Sequence, residues 1–346
     1  MLTVDVQRHW TPQSYLERHV GREGFPTAER TSEGFKLLFG PGVGFGFPLE
    51  GCDVDAPLRQ LDASGIDVGV VSPAPIAVDQ LPRAEAEEVC IALNEAMAEA
   101  QAASAGRLLA LATLPLRWPD SATAVLVDAT QRLGLRGVCV PGAAGREPLV
   151  DLDIAVVLSE MARRDAVCFL HPAGGRFGKQ LSHFALGPSA GFMFETTVAA
   201  YELALSGVLT DGPLPPIVHP HGGGTVPYIA ERLDLYASQR RSMTGEQAPA
   251  KPSELLREMF TDTACLGPKA LAMARDFYGP ERLLFGSDEP FWAAAPQLAL
   301  LEHELRHSPA ELDAVLGQNA IGLLRLEVGA NANTGDMNAT RSGEAL

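Results

Sequence analysis

The sequence predicts a (β/α)₈ barrel, and three observations lead to this prediction. Short apolar runs recur along the 346 residues, stretches with helical periodicity separate them, and no glycine-rich dinucleotide motif follows the first run. Runs that are apolar throughout are typical of parallel strands buried on both faces. Eight strand–helix units fit a barrel of roughly 250 residues with insertions. A doubly wound open sheet is the alternative, and the missing dinucleotide motif disfavours it.

The predicted elements alternate regularly along the chain. The strands are expected at 2–7, 66–71, 108–114, 137–141, 167–171, 217–219, 259–263 and 282–287. The helices are expected at 82–105, 118–133, 151–164, 193–207, 268–277 and 294–306. Together they predict one barrel domain over residues 1–326.

Two further segments have a distinctive composition. Residues 21–52 are rich in Gly and Phe and follow the first strand, where a long loop would cover the catalytic end of a barrel, so we expect a lid insertion there. Residues 327–346 are small and polar, which predicts a disordered tail.

Composition and charge exclude several classes of function. The formal net charge of −16 argues against a nucleic-acid-binding surface, which requires clustered Lys and Arg. No apolar run approaches the ~20 residues of a membrane span, and charged residues interrupt the first apolar run, as they would not in a secretory signal. Five widely spaced cysteines without a Cys-x-x-Cys pair suit a reduced cytoplasm. We therefore expect a cytoplasmic protein without a membrane or nucleic-acid partner.

Polar residues stand at the ends of the predicted strands, where a barrel places its reactive groups. These residues are Gln7, His9, Ser72, His171, His219, His221, Asp262 and Asp288. Several imidazoles and a carboxylate form the usual ligand set of a catalytic zinc or related divalent ion. The sequence therefore predicts a metal site at the carboxyl end of the barrel.

The first strand carries the pattern Asp5-x-Gln7-x-His9. Side chains alternate in a strand, so a regular strand would place all three on one face and point Arg8 outward, towards a helix carboxylate. Asp-x-Gln-x-His looks like a metal-binding strand in which an amide stands where an imidazole is expected.

The chain also resembles a known family. The segments VDVQRHWTP, LDASGIDVGVVSPAP, LATLPL, LGLRGVCV, FLHPAGG, HGGGTVPYIAERLD, FTDTA and LLFGSDEPF occur in the order seen in amidohydrolase-related proteins. The resemblance is to the amidohydrolase 2 type, in the branch of aminocarboxymuconate-semialdehyde decarboxylase, and it runs from about residue 2 to residue 326. It implies a homodimeric barrel with a single divalent ion, Zn²⁺ or Mn²⁺, that decarboxylates or hydrolyses a small carboxylic acid.

The resemblance also implies roles for individual residues. The family's first-strand metal-binding pair falls on Gln7 and His9, and its later metal ligands fall on His171 and Asp288. The catalytic His falls on His221, with Asp288 as a second catalytic group. The decarboxylase's substrate-binding Arg has no counterpart in residues 45–55, which argues against aminocarboxymuconate semialdehyde as the substrate.

Gln7 leaves three interpretations open. In the first, the ion is retained by His9, His171 and Asp288, with Gln7 as a weak fourth or outer partner. In the second, the metal is lost and His171, His221 and Asp288 act by acid–base chemistry alone. A hydrolase, hydratase or cyclase of a specialised metabolite, with the ion or without it, is the alternative activity. In the third, the barrel binds a ligand without catalysis. The first is favoured, with a metal-dependent decarboxylase of an aromatic or unsaturated acid as its activity.

Overall fold

Eight parallel strands form the central sheet of the computed structural model, which describes residues 2–40, 43–73, 77–174, 176–181, 183–244, 249, 251–264 and 266–326. We number these strands β1 to β8 in chain order. They are β1 (Val4–His9), β2 (Val68–Ser72), β3 (Leu108–Ala112), β4 (Gly137–Pro141), β5 (Val167–His171), β6 (Ile217–His219), β7 (Phe260–Asp262) and β8 (Leu283–Leu284). Each strand matches an apolar run predicted from the sequence.

Each strand pairs in parallel with the next one along the chain, from β1 to β8. Backbone hydrogen bonds then join the first strand to the segment that follows the last. The amide of Val6 donates to the carbonyl of Phe285 over 2.9 Å. The amide of Asp288 donates to the carbonyl of Gln7 over 2.8 Å. These bonds close the sheet into a barrel, as the sequence predicts.

The strands bury both faces, in two separate apolar layers. In β5, Val167 and Phe169 belong to a small cluster inside the barrel, whereas Cys168 and Leu170 belong to the large cluster between the sheet and the helices. The same alternation runs through the other strands, which explains why their sequences are apolar throughout. Helix Asn319–Leu324 contributes to the inner cluster and packs against one end of the barrel interior.

The helices surround the barrel and connect its strands. They are Gln13–Arg18, Ala56–Ser64, Arg83–Ala103, Pro119–Gln131, Ile154–Arg163, Phe192–Leu205, Pro220–Gly223, Val226–Thr244, Pro252–Leu256, Pro268–Tyr278, Ala294–Glu304, Pro309–Asp313 and Asn319–Leu324. Among the described residues, no helix is both long enough and apolar enough to span a bilayer. The predicted tail, 327–346, lies outside the described residues.

The Gly- and Phe-rich segment after β1 forms a small antiparallel sheet. Its strands are Thr27–Arg30, Gly34–Gly40 and Val43–Pro48. Phe45 of this sheet contacts Phe291 with ring centroids 5.7 Å apart, and Phe291 contacts His9 at 5.6 Å. The sheet therefore lies beside the carboxyl end of β1, and its action as a lid stays a prediction.

Candidate metal centre

Three ligand-type side chains meet at the carboxyl end of the barrel. His9 ends β1, His171 ends β5, and Asp288 follows β8. Nε2 of His9 lies 2.9 Å from Oδ1 of Asp288 and 3.3 Å from Nε2 of His171. Their possible ligand atoms all lie within 4.8 Å of one another. Side chains far apart in the sequence thus converge because parallel strands end at the same mouth.

The hydrogen bonds behind the two imidazoles direct their lone pairs towards one point. Nδ1 of His171 lies 2.8 Å from the carbonyl oxygen of Pro172, which can only accept, so Nδ1 carries the proton and Nε2 is free. Nδ1 of His9 lies 3.0 Å from the hydroxyl of Ser72, which can accept in the same way. With their Nδ1 atoms bonded in this way, both rings can present Nε2 to a divalent cation beside the Asp288 carboxylate, and partners on the far ring nitrogen are typical of metal-binding histidines.

The loop that carries Asp288 is held by the first strand. The amide and hydroxyl of Ser287 donate to the two carboxylate oxygens of Asp5, over 3.0 and 2.6 Å. Arg8 forms ion pairs with Asp5, at 2.9 Å, and with Glu289. Asp288 itself has a left-handed backbone with φ of +66°, a conformation that Asp tolerates better than most residues. Neighbours on both sides therefore fix the position of this carboxylate.

The expected arrangement of β1 is wrong in two respects. The register of β1 against β2 shifts between Asp5 and Arg8, as at a bulge, so Asp5 does not lie on the same side as Gln7 and His9. Arg8 pairs with Asp5 and Glu289, and not with a helix carboxylate. Periodicity alone did not reveal the shift. The pattern of strand-end residues also does not mark Ser287 and Glu289, whose signal is their position on either side of Asp288.

The side chain of Gln7 contacts both His221 and Asp288. Its Nε2 lies 2.9 Å from Nε2 of His221 and 3.5 Å from Oδ1 of Asp288. Both partners accept, which orients the amide nitrogen towards them. Nε2 of His221 is 3.9 Å from Oδ2 of Asp288. The structure thus brings together all five predicted site residues, with Gln7 between His221 and the cluster of His9, His171 and Asp288.

A strained turn presents His221 to the site. Its φ and ψ are +55° and +49°, an uncommon conformation for a residue with a side chain. The glycines that follow continue the turn, and a Cβ on Gly223 would lie 2.0 Å from the hydroxyl oxygen of Tyr278. The backbone amide of His221 donates to Oδ1 of Asp262 over 2.8 Å. Asp262 therefore holds the turn, and the HGGG motif reflects its geometry.

The surroundings shift the proton affinities of these groups. Burial would raise the pKa of Asp288, but the neighbouring imidazoles of His221 and His9 hold it well below its usual range. Burial would lower the pKa of His221, but the nearby carboxylates of Asp288 and Asp262 raise it. Asp288 is thus a carboxylate suited to a cation, and His221 is the imidazole best placed to hold a proton.

Burial also shifts the pKa values of His171, His219 and Asp262. Burial lowers the pKa of His171 to about 3, with His9 adding to the effect. Burial also lowers the pKa of His219 to about 3, and its Nδ1 lies 3.4 Å from the hydroxyl of Tyr278. Burial raises the pKa of Asp262 to about 6. His219 is fully buried and does not belong to the group of His9, His171 and Asp288.

A cavity of about 340 Å³ adjoins His9. The antiparallel sheet contributes Phe47 to its wall, and the ring of Phe291 lies on the opposite loop. Arg59 also lines this cavity, but its guanidinium pairs with Asp53 at 2.7 Å. The wall is mainly apolar, which suits an aromatic or similarly flat molecule.

The amidohydrolase family model matches residues 4–326 of the chain. A γ-resorcylate decarboxylase of Rhizobium sp. (strain MTP-10005) is 30% identical over 250 residues, which cover 68% of this chain and 76% of the relative.

Solved structures resemble the whole barrel. Metarhizium anisopliae IDCase in its apo form superposes with a TM-score of 0.81 at 24% identity, covering 94% of this chain and 97% of that one. A dihydroxybenzoic acid decarboxylase of Polaromonas sp. JS666 was solved with bound manganese and the inhibitor 2-nitroresorcinol. It superposes with a TM-score of 0.76 at 23% identity, covering 96% of this chain and 99% of that one. At these identities the likeness shows a shared fold.

Proposed function

The chain belongs to the amidohydrolase family, as its motifs predict, and on this premise we propose that it is a metal-dependent, non-oxidative decarboxylase of an aromatic or unsaturated carboxylic acid. The observation that carries the proposal is the convergence of His9, His171 and Asp288 at one mouth of the barrel. The aromatic-acid decarboxylases among its relatives support the same reaction. A homodimer, which the resemblance implies, stays a prediction.

We assign one divalent ion, Mn²⁺ or Zn²⁺, to His9, His171 and Asp288. When bound, such an ion supplies Lewis-acid stabilisation of the negative charge that develops as the carbon–carbon bond breaks. The bound manganese of the Polaromonas enzyme supports this choice of ion. The protein's contribution is to keep the three ligand atoms within 4.8 Å of one another and their far sides hydrogen-bonded.

We assign the proton transfer to His221. Loss of CO₂ requires a proton at the carbon that carried the carboxylate, and the raised pKa of His221 allows it to hold that proton near neutral pH. Asp288, with its lowered pKa, stays ionised beside it. Because a primary amide presents both a donor and an acceptor, Gln7 can hydrogen-bond His221 in either protonation state.

The substrate class follows from the walls of the site. The cavity beside His9 is lined by Trp10, Phe47 and Phe291, which favours an aromatic acid over a flexible aliphatic one. Arg59 in this wall already has a carboxylate partner in Asp53. We therefore infer that the ion and its ligands, and not an arginine of this wall, anchor the substrate carboxylate.

The test combines metal analysis with detection of CO₂. Protein purified without chelators is expected to hold about one divalent ion per chain and to release CO₂ from a hydroxybenzoic acid such as 2,6-dihydroxybenzoate. Replacement of Gln7 by His is the comparison for metal content. A wild-type chain that holds no metal, while Gln7→His gains one, would contradict metal dependence. A metal-loaded chain that hydrolyses a substrate without releasing CO₂ would support the hydrolase interpretation instead.

A further inference from the structure

A second, much smaller cavity of about 30 Å³ is lined in part by His171. Asp79, Thr113 and Cys139 are among the residues that line it, together with His171 itself. The proposed metal assignment gives His171 a role, but it gives none to Asp79 or Thr113. A volume near 30 Å³ is that of one water molecule or one hydroxyl group.

Thr113 follows β3 and continues its alternation. Leu109 and Leu111 of that strand face the barrel interior, so the side chain of Thr113 is expected to face the mouth of the barrel. Asn94 fixes this position, because its Oδ1 accepts from the amide of Thr113 over 2.8 Å and its Nδ2 donates to the carbonyl over 3.0 Å. The hydroxyl is thus presented from a rigid backbone.

Two oxygens of this cavity's lining have unused hydrogen-bonding capacity. Both Asp79 and Thr113 are 6% exposed, and neither Oδ1 of Asp79 nor Oγ1 of Thr113 has a hydrogen-bond partner in the described part of the chain. A buried polar atom without a partner is costly, so such atoms commonly mark a site that a ligand or an ordered water completes. Two of them around one cavity of this size define a polar position.

We propose that Asp79 and Thr113 form a subsite for one hydroxyl substituent of the substrate ring. A hydroxyl can donate to Oδ1 of Asp79 and accept from the hydroxyl of Thr113, whereas a methyl group of similar size would leave both oxygens without a partner. The subsite lies beside His171, so it would read a substituent close to the group that is bound at the ion. This inference rests on the proposed function, since it assumes that an aromatic acid occupies the site.

The test compares two acids that differ in one group. 2,6-Dihydroxybenzoate and 2-hydroxy-6-methylbenzoate share a carboxylate and a hydroxyl, and differ by a hydroxyl or a methyl at one ring position. Dissociation constants for the Mn²⁺-loaded chain are measured by stopped-flow quenching of tryptophan fluorescence. The wild type is expected to bind the dihydroxy acid more tightly than the methyl acid. Thr113→Val is expected to reduce this preference about tenfold, because the ring hydroxyl loses one hydrogen bond and is left buried without that partner.

Two variants separate recognition from folding. Thr113→Ser keeps the hydroxyl and is expected to retain the preference. Thr123→Val, on an outer helix where the hydroxyl donates to the Pro119 carbonyl, is expected to leave the preference unchanged. An unchanged ratio in Thr113→Val overturns the subsite and leaves a resident water as the occupant. Equal weakening of both acids, or failure of the wild type to bind or distinguish them, overturns it as well.

Failure of the proposed function gives a different result. CO₂ release by the wild type decides that function, whereas the ratio of dissociation constants is measured before turnover. A chain that shows the expected ratio and releases no CO₂ contradicts the decarboxylase and leaves the subsite standing.

Discussion

The amide nitrogen of Gln7 lies 2.9 Å from Nε2 of His221. The family pattern has a metal-binding residue at this position, but here the side chain contacts the proposed proton-transfer histidine. The nearer ligand candidate, Asp288, is 3.5 Å away at Oδ1. We therefore expect Gln7 to act on the site chiefly through His221, and His9, His171 and Asp288 to form the candidate ligand set without it.

Replacing Gln7 by Leu tests this division of roles. We expect Gln7→Leu to keep about one metal ion per chain and to lower kcat about tenfold, because the variant loses one buried hydrogen bond to His221. Metal analysis and steady-state kinetics measure the two effects separately. Gln131→Leu, at the exposed end of helix Pro119–Gln131, is the matched control. Loss of the metal in Gln7→Leu would instead identify Gln7 as a ligand.

Removal of the metal ion tests the ligand set. Dialysis against a chelator is expected to abolish CO₂ release, and added Mn²⁺ or Zn²⁺ to restore it. His171→Ala should lower the metal content below one tenth of an ion per chain, because two ligands rarely hold a divalent ion against competition. His307→Ala changes an exposed histidine and should leave the content unchanged. Retention of the ion by a folded His171→Ala chain would contradict the site.

His221→Asn tests the proton donor without altering the turn. Asn tolerates the left-handed backbone that His221 adopts, with φ of +55°, better than Ala does. We expect kcat to fall by 10²–10⁴, the usual contribution of a general acid, with KM and metal content nearly unchanged. The variant's kcat and its metal content are measured on the same preparation. Full activity in this variant would remove His221 from the mechanism.

The sequence predicted the barrel because its strands are buried on both faces. Val167 and Phe169 fill the barrel interior, while Cys168 and Leu170 belong to the apolar layer between the sheet and the helices. The strand is therefore apolar throughout, because each of its faces contributes to one of the two layers. It also predicted that His9, His171, His221, Asp288 and Gln7 would lie together, because strand ends in a barrel share one mouth, and these side chains do meet there.

The features that the sequence did not reveal depend on tertiary contacts. The register shift in β1, which separates Asp5 from Gln7, leaves no mark on the hydrophobic pattern. The contact between Gln7 and His221 joins residues 214 positions apart and requires coordinates to be seen. The same holds for Asp79, whose carboxyl comes from the short turn Val78–Gln80 after β2 and carries no motif.

Asp5 is expected to stabilise the loop that carries Asp288. It is fully buried and accepts from Ser287 and Arg8, so Asp5→Asn leaves Arg8 with one carboxylate partner fewer. We expect the free energy of unfolding to fall by about 3 kcal/mol, as for other broken buried pairs. Denaturant unfolding measures the loss.

The control for Asp5 is an exposed pair of the same residue types. Asp128 pairs with Arg132 on a helix surface, at 2.7 Å. Asp128→Asn should cost less than about 1 kcal/mol, because solvent screens exposed pairs. Equal losses in the two variants would show that burial adds nothing to the Asp5 pair.

Asp79 predicts a pH dependence of stability. Burial raises its pKa from 3.8 to about 7. Well below pH 3.8 the carboxyl is protonated in both the folded and the unfolded chain. As the pH rises towards 7, the unfolded chain releases this proton while the folded chain retains it, so the free energy of unfolding falls. The shift corresponds to a loss of about 4 kcal/mol that is complete above pH 7.

Asp79→Asn removes this titration and leaves the rest of the chain unchanged. Wild type and variant should therefore differ by an amount that changes steadily between pH 4 and 7, with the wild type losing stability relative to the variant. Denaturant unfolding at several pH values measures both curves, and the contributions of other groups, such as Asp262, cancel in the difference. Parallel curves would mean that the carboxyl of Asp79 titrates normally, as it would if water or a cation reached it in the folded protein.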